Sequence, residues 1–375
     1  MDDEFDVIVV GAGPAGSAAA LAARRAGARV LLLDRADFPR DKACGDGVAA
    51  HALDVLAELG VADAVAGYPP LPALRLVGPG GAEVARELPR PAYTVPRKVF
   101  DARLVAAAVR AGALLRRHTV RRVELRDDRV VLDGALAARA LVGADGAGSV
   151  VRRALGHPVN PDRHLALAIR GYAPALPGPP EQLIVTSGAR WPAYAWSFPI
   201  GDGQANVGYG EVLRGEPLSR AHLLDRLAAL LPATDPTAVT ELRAHHLPLS
   251  THRPAPGRGR AVLAGDALSL INPFTGEGIF YALLSGALAG VAAAGPPGRA
   301  ADRYAAALRR RLGTHLRHSS VAAWLARHRR IVDAAVRAAR RDDRVYATVV
   351  ELGLGDGRLD ARTLAMIGVG LSART

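Results

Sequence analysis

The chain has 375 residues, half of them hydrophobic, and a net charge of +12. It is therefore long enough for two packed regions, each with a substantial core. Its single cysteine, Cys44, excludes an internal disulfide and a structural zinc site built on thiolates, and it fits a reducing cytoplasm. The acidic start MDDE is not expected to open a secretory signal, which needs basic residues before its apolar run.

Residues 5 to 34 have the pattern of a strand, a tight turn, a helix and a second strand. The run FDVIVV is followed by GAGPAG, by the alanine-rich SAAALAARRAG and then by ARVLLLD. Gly11 permits the turn, Gly13 lets the backbone approach a pyrophosphate, and Gly16 lets the helix pack against the strand. Asp34 ends the second strand, where a carboxylate accepts hydrogen bonds from a ribose diol. This unit predicts a dinucleotide site with the phosphates at the helix N-terminus.

The same alternation of helix and strand resumes further along the chain. We expect a helix over residues 99 to 115, short strands over 120 to 142, and a buried strand in RAVLAGD at 260 to 266. Residues 67 to 94 are rich in Pro and Gly and leave this pattern, so they form an excursion from the nucleotide-binding region.

Residues 159 to 257 carry strand-like runs broken by Pro and Gly, with one helix near 219 to 231, and they predict an antiparallel sheet on the substrate side. The charge-free stretch from 278 to 298 has an apolar part shorter than the roughly 20 residues of a membrane span, so it predicts a buried helix. The tail from 299 is helical. Its residues 299 to 344 hold 13 Arg and 4 Asp, a pattern that fits either a solvated face or a surface for an anionic partner.

Two further motifs favour FAD over NAD as the dinucleotide. One is Gly143-Ala-Asp145-Gly146 after an apolar strand, and the other is Gly265-Asp266, followed by GEGI at 276 to 279. The Asp266 carboxylate suits a ribityl hydroxyl. A helix beginning near Gly278 aims its amides at the flavin pyrimidine edge, which becomes anionic on reduction. Because no second complete GxGxxG unit is seen, the electron donor is expected to be NAD(P)H bound transiently or a ferredoxin.

Together the motifs resemble the flavoprotein group of aromatic hydroxylases and flavin halogenases. Two local sequences are similar to the geranylgeranyl reductase family: PAYAWSFP at 192 to 199 matches its PxxYxWxFP pattern, and KACGDG at 42 to 47 resembles its cysteine-glycine loop near the flavin. The resemblance covers residues 5 to 300. It implies an α/β fold: an FAD-binding Rossmann-like domain of the glutathione-reductase type, an antiparallel-sheet substrate domain and a helical C-terminal tail.

The resemblance also implies where the domains and the cofactor contacts lie. The FAD-binding domain is expected to be discontinuous, with residues 1–66, 95–158 and 258–298; the substrate domain takes 67–94 and 159–257, and the C-terminal region 299–375. The implied FAD contacts are Ala15, Asp34, Cys44, Gly45, Gly47, Arg97, Val120, Asp266, Gly278 and Ile279. Asp46 departs from the family, because many members carry Gly or Glu there.

Tyr194, Trp196 and Phe198 alternate, so on a strand they share one face. With the resemblance they are predicted to wall a channel for a prenyl chain; without it they fit ordinary sheet core. Cys44 is predicted to act in catalysis or to contact substrate, and its alternative is a small buried apolar residue. The histidines show no metal-ligand spacing, and no metal is expected.

The function that the resemblance implies is an FAD-dependent reductase that saturates C=C bonds of a geranylgeranyl-type prenyl chain in an isoprenoid lipid, quinone or terpenoid. The alternative is an FAD-dependent monooxygenase, either a hydroxylase or an epoxidase, and a third class is a non-catalytic flavin-binding or lipid-carrier protein. No nucleic acid partner is expected. The basic tail predicts peripheral membrane contact by a cytoplasmic protein, with Trp324 and Leu325 at the interface.

Overall fold

The computed structural model describes residues 5–296 and 298–372; the acidic residues 1–4 and Pro297 lie outside this part. The strands are β1 (Phe5–Val10), β2 (Val30–Asp34), β3 (Gly47–Val48), β4 (Leu71–Val77), β5 (Glu83–Thr94), β6 (Leu114–Arg117), β7 (Val123–Leu125), β8 (Val130–Leu132), β9 (Leu136–Gly143), β10 (Leu165–Pro174), β11 (Glu181–Thr186), β12 (Ala193–Gly201), β13 (Gln204–Val212), β14 (Thr240–Pro248), β15 (Gly257–Arg258) and β16 (Ala261–Leu263). The α-helices are α1 (Pro14–Arg25), α2 (Ala50–Glu58), α3 (Arg97–Arg110), α4 (Val150–Ala154), α5 (Arg220–Leu230), α6 (Ile279–Ala294), α7 (Ala300–Leu325), α8 (Arg329–Arg341), α9 (Asp343–Leu354) and α10 (Ala361–Ser372).

The first sheet has the strand order β15-β16-β9-β1-β2-β6, with β8 also pairing with β9 and β7 with β8. Strand β1 runs parallel to both β2 and β9, so Val7 lies between Val30 and Ala140. Strands buried on both faces are continuous apolar runs, which is why FDVIVV and VLLLD do not alternate. The predicted strand-turn-helix-strand unit over 5 to 34 is therefore confirmed. The helix expected over 99 to 115 is α3, and it ends earlier because Gly112 at φ +90° precedes β6.

The charge-free stretch forms the buried helix α6, as predicted, and it packs against α1. Its two glycines permit this contact: a Cβ at Gly286 would lie 2.1 Å from the carbonyl oxygen of Ala15, and one at Gly290 2.2 Å from that of Ala19. Within the described residues, none of the helices combines the length and the apolar character needed to span a bilayer.

The second sheet has the order β14-β10-β13-β12-β11-β4-β5-β3. Residues 67 to 94, predicted as an excursion, supply β4 and β5 to this sheet. Most of its pairs are antiparallel, as expected, but β11 runs parallel to β4, with Ile184 beside Leu76. A hairpin forces antiparallel pairing only between neighbours in sequence, and these two strands lie about 100 residues apart in sequence.

The helical tail has two different contacts. Helix α7 packs along α6 and buries Leu308 and Leu312. Helices α8 and α9 cover the outer part of the second sheet, where Val336 and Val345 join a core with strand residues of β4 and β5. The C-terminal helices thus cover part of the second sheet.

Candidate functional site

The glycine-rich turn between β1 and α1 is tightly closed. Gly11 has φ +94°, and a Cβ there would lie 2.3 Å from the carbonyl oxygen of Ala144, while one at Gly16 would lie 1.7 Å from that of Gly11. Asp34 Oδ2 accepts a hydrogen bond from the amide of Ala12 at 2.8 Å, which holds the turn against the end of β2. Gly11 and Gly16 of the predicted motif are thus required by close backbone contacts.

The N-terminus of α1 has the features of an anion site. Its N-cap, Gly13, offers no side-chain cap, and its first turn has no acidic residue. Two guanidinium groups lie beside this residue, since a Cβ on Gly13 would be 3.5 Å from Arg40 Nη2 and 3.8 Å from Arg97 Nη2. Arg97 is almost fully buried and is held by Asp101 through two hydrogen bonds of 2.6 and 2.8 Å. Helix amides and fixed guanidinium groups fit the pyrophosphate of FAD.

The structure brings most of the other predicted residues to one cleft between the two sheets. Its lining includes Cys44, Gly45, Gly47, Arg97, Tyr194, Trp196, Phe198, Asp266, Gly278 and Ile279. The predicted positions Gly11, Gly13, Ala15, Gly16 and Asp34 belong instead to the turn, the first helix and the end of β2. Val120 is packed into the core of the first sheet and does not line the cleft.

Asp266 lies at the floor of the cleft as one half of an ion pair. Lys42 Nζ is 2.9 Å from its Oδ2, and His245 Nε2 is 3.8 Å away. Burial opposes ionisation of this carboxyl, but the ammonium group of Lys42 outweighs it and holds the pKa of Asp266 well below its usual range. The cleft therefore offers a charged acceptor here, which would suit a hydroxyl group of a bound cofactor. Beside it, Gly278 caps the start of α6, whose dipole favours negative charge.

Lys42 and His245 were missed as site residues by the sequence analysis. One signal for Lys42 was present, because it is one of two lysines in an arginine-rich chain and lies in the cysteine-glycine loop. His245 had no such signal. It reaches Asp266 only because β14 pairs with β10 at the edge of the second sheet.

Polar side chains on strands β10 and β13 hold the loop around Cys44 in place. Asn206 Nδ2 donates to the Cys44 carbonyl at 2.9 Å and to Asp46 Oδ2 at 2.8 Å, and the Tyr172 hydroxyl donates to the same Oδ2 at 2.7 Å. Trp196 Nε1 in turn donates to Asn206 Oδ1. Burial raises the pKa of Asp46 to about 6, against these hydrogen bonds, and burial also raises the pKa of the Cys44 thiol. Cys44 is therefore a protonated thiol at neutral pH.

The three aromatic side chains of β12 share one face, as their alternation predicted. The ring centroids of Tyr194 and Trp196 are 5.9 Å apart, and those of Trp196 and Phe198 are 6.5 Å apart. Glycines make room for the indole: a Cβ at Gly208, which pairs with Trp196 on β13, would lie 2.2 Å from its ring. A Cβ at Gly45 would lie 3.4 Å from Trp196 Nε1. The aromatic row thus packs directly against the cysteine loop.

An apolar cavity of about 190 Å³ lies beside the cleft, between the second sheet and the C-terminal helices α7 to α10. Ile184, Thr275 and Leu354 line both spaces, so the two are adjacent along a shared wall. The cavity is otherwise enclosed by aliphatic side chains of the second sheet and of α7 to α10, among them Val336 and Val350. The cleft, which contains the charged pair of Lys42 and Asp266, thus lies directly beside an apolar compartment.

The motif around Asp145 has a supporting role in this structure. Asp145 Oδ2 accepts from the amide of Val150 at 2.6 Å and so caps α4. Arg152 is buried and donates to Ser269 Oγ at 2.8 Å and to Asn160 Oδ1 at 2.9 Å. These bonds tie α4 to the loop that carries Asp266.

Comparison with known proteins agrees with this geometry. A family model described as an FAD binding domain matches residues 4–284. Menaquinone reductase of Mycolicibacterium smegmatis is 37% identical over 317 residues, which cover 77% of this chain and 76% of that protein. Digeranylgeranylglycerophospholipid reductase 1 of Methanopyrus kandleri is 36% identical, over 76% and 80% of the two chains. A geranylgeranyl bacteriochlorophyll reductase-like structure from Thermoplasma acidophilum shares the fold, with a TM-score of 0.79, 21% identity, and 100% and 97% coverage.

Proposed function

The chain belongs to the FAD-binding family of flavoproteins that contains the geranylgeranyl reductases, and on this basis we propose that it saturates C=C bonds of a prenyl chain in an isoprenoid lipid, quinone or terpenoid. It is an FAD-dependent oxidoreductase. The observation that carries the proposal is the junction of the cofactor cleft with the apolar cavity, along Ile184, Thr275 and Leu354. That junction offers a place for a double bond in the cleft and for the rest of a long apolar chain beyond it.

In this proposal the residues of the cleft bind and orient the reactants, and bound FAD supplies the hydride. The α1 N-terminus and Arg97 would hold the pyrophosphate, and Asp266 would accept a hydrogen bond from the ribityl chain. Tyr194, Trp196 and Phe198 form the wall that keeps the alkene against the cofactor and excludes water. Cys44 lies in the loop that packs against this wall and lines the same cleft, where its neutral thiol would contact the substrate.

The apolar cavity explains how a prenyl tail is held. Aliphatic side chains cannot offer hydrogen bonds, so binding there depends on removing methylene and methyl groups from water, at about 0.8 kcal/mol each. A tail also has no polar group that would be left unpaired in such a compartment. The polar end of the substrate then stays outside the cavity.

Two features of the C-terminal helical region, residues 299–372, support membrane contact as part of the same proposal. Its exposed arginines, including Arg329 and Arg330, suit anionic lipid. Trp324 is 59% exposed and Val321 53%, on the helix whose inner face lines the cavity. Leu325 differs from the sequence expectation, since it is half-buried and lines the cavity. We propose that α7 rests on the membrane from which the substrate enters.

The monooxygenase alternative is less favoured, because the two relatives described above, 37% and 36% identical, are named reductases. One experiment separates the two chemistries. Reduced protein is mixed without oxygen with menaquinone, with a digeranylgeranyl phospholipid or with a geranylgeranyl alcohol. A product two mass units heavier per bond, formed in proportion to flavin reoxidation, supports the reductase. Turnover that needs oxygen and adds sixteen mass units establishes the monooxygenase. Supplying NADPH, NADH or reduced ferredoxin in parallel identifies the electron donor.

A further inference from the structure

Glu277 is a buried carboxyl in the lining of the cleft for which the roles above give no use. It lies in the turn between Thr275 and α6 and is 9% exposed. Its Oε1 accepts a hydrogen bond from the amide of Phe280 at 2.7 Å, which orients the side chain at the start of the helix. The same turn contacts the aromatic wall, because the Tyr194 hydroxyl donates to the Thr275 carbonyl at 2.5 Å.

Saturating a double bond requires a proton as well as a hydride. Apart from Glu277, the titratable groups of the cleft described above are poor donors of this proton. Burial raises the pKa of Cys44 and of Tyr194 above their usual values, so both hold their protons at neutral pH. Burial lowers the pKa of His245, which leaves it neutral. Asp266 is ionised and paired with Lys42.

We propose that Glu277 is the proton donor to the alkene, an assignment that rests on the reductase function proposed above. The reduced cofactor provides a hydride, which forms a C–H bond at one carbon as the π bond breaks. The carboxylic acid O–H of Glu277 breaks, and its proton forms the C–H bond at the other carbon. Glu277 is left as a carboxylate, which a proton from water then neutralises.

The environment of Glu277 suits a group that is an acid at one step and is reprotonated at the next. Burial raises its pKa to about 7, against the opposing effect of the Phe280 and Ile279 amides. A histidine packs beside the same helix turn. His51 packs edge-on against the Phe280 ring with centroids 5.6 Å apart, and its Nε2 is 3.0 Å from Glu351 Oε2.

The sign of the pH dependence follows from this raised pKa. The acid form of Glu277 is fully present well below pH 7 and is lost as pH rises through about 7. The rate of transfer to the alkene should therefore be constant at low pH and fall about tenfold per unit above 7. Flavin reduction by dithionite involves no proton from this group and should keep its rate.

The test uses the Glu277→Gln variant, with Glu87→Gln on an exposed strand position as the matched control. Without substrate, an infrared pH titration of the FAD-loaded protein should show a protonated carboxyl band with a midpoint near pH 7. The band should be absent in Glu277→Gln and present in Glu87→Gln. In anaerobic single-turnover reactions Glu277→Gln should transfer about 100-fold more slowly or worse, without a pH dependence. Glu277→Asp should regain part of the rate together with the pH dependence.

Several results would overturn the assignment. A Glu277→Gln protein that contains FAD and reduces the alkene at the wild-type rate, or with the wild-type pH profile, removes Glu277 as the donor. So does a titration midpoint near pH 4 for the carboxyl band that Glu277→Gln removes. If Glu277→Gln fails to retain FAD, Glu277→Asp and the wild-type titration decide the question. If wild-type protein reduces no prenyl substrate at all, the proposed function fails, whatever the infrared titration shows.

Discussion

The proposed site has two halves that are built on opposite principles. The cofactor half is the cleft around Arg97 and Asp266, and the tail half is the apolar cavity proposed to hold the prenyl tail. Around the cofactor, charged groups are buried in pairs, such as Arg97 with Asp101 and Lys42 with Asp266, and backbones approach within van der Waals contact at glycines. Around the tail cavity, aliphatic side chains such as Val336 and Val350 meet an open space. Directional contacts tolerate little change, whereas apolar burial depends mainly on area. Substitutions should therefore have larger effects in the cofactor half.

The largest effect should follow from Asp266→Ala. This change leaves Lys42 without its anionic partner and removes the proposed ribityl contact; loss of one member of a fully buried pair costs about 3–5 kcal/mol, and the cost here should be smaller because the Lys42 side chain is 27% exposed. The purified variant should contain little FAD, measured as flavin released on denaturation. The exposed Asp302→Ala serves as the control. Full FAD content in Asp266→Ala would mean that this ion pair is not part of the cofactor site.

A smaller loss is expected for Gly286→Ala in α6. The added methyl would lie 2.1 Å from the Ala15 carbonyl oxygen, and overpacking of this kind costs about 1–3 kcal/mol. Gly313→Ala, in the middle of α7, is a matched control, because the added methyl would lie 3.4 Å from its nearest neighbour, Arg309 Cγ, and the helix should gain up to about 1 kcal/mol. The urea concentration at half-unfolding should fall for Gly286→Ala and rise for Gly313→Ala. Equal behaviour would contradict the close packing of α6 on α1.

In the tail half, Val350→Thr should act on substrate more than on stability. The new hydroxyl lies at a buried position in the wall of the apolar cavity, where an unpaired polar group costs about 1–3 kcal/mol. KM should therefore rise about tenfold for a long prenyl substrate and less for a short one, while FAD content is unchanged. Val321→Thr on the exposed face of α7 should leave KM for soluble short substrates unchanged. A KM effect that is independent of chain length would argue against the cavity as the tail site.

The smallest effect should come from Cys44→Ala. The amide of Asp46 lies 3.3 Å from Sγ, and losing one such hydrogen bond is worth about 1 kcal/mol, or roughly fivefold in rate. Flavin reduction should be unchanged, and transfer to the alkene should slow by about that factor in stopped-flow reoxidation. Transfer to the alkene at the wild-type rate would mean that Cys44 only packs in its loop. It would leave the proposed role of the aromatic wall unchanged.

Features confined to short stretches of chain were predictable from the sequence. The turn of Gly11, Gly13 and Gly16 with Asp34 lies within 30 residues, and its helix and strands show their own hydrophobic patterns. The single face shared by Tyr194, Trp196 and Phe198 follows from the two-residue repeat of a strand. These features depend on backbone geometry that neighbouring residues impose on one another, so the sequence by itself determined them.

Contacts between distant segments were decided only by the tertiary structure. Lys42 meets Asp266 across 224 residues, Gly208 lies beneath Trp196 only in the observed register, and β11 runs parallel to β4. A one-residue change of register between β12 and β13 would move Gly208 away from Trp196. No local pattern records which strands become neighbours or how they are aligned. The polarity of the cleft and the apolar cavity beside it arise from those alignments, because packing of whole sheets and helices decides which charges are paired and which apolar faces enclose a space.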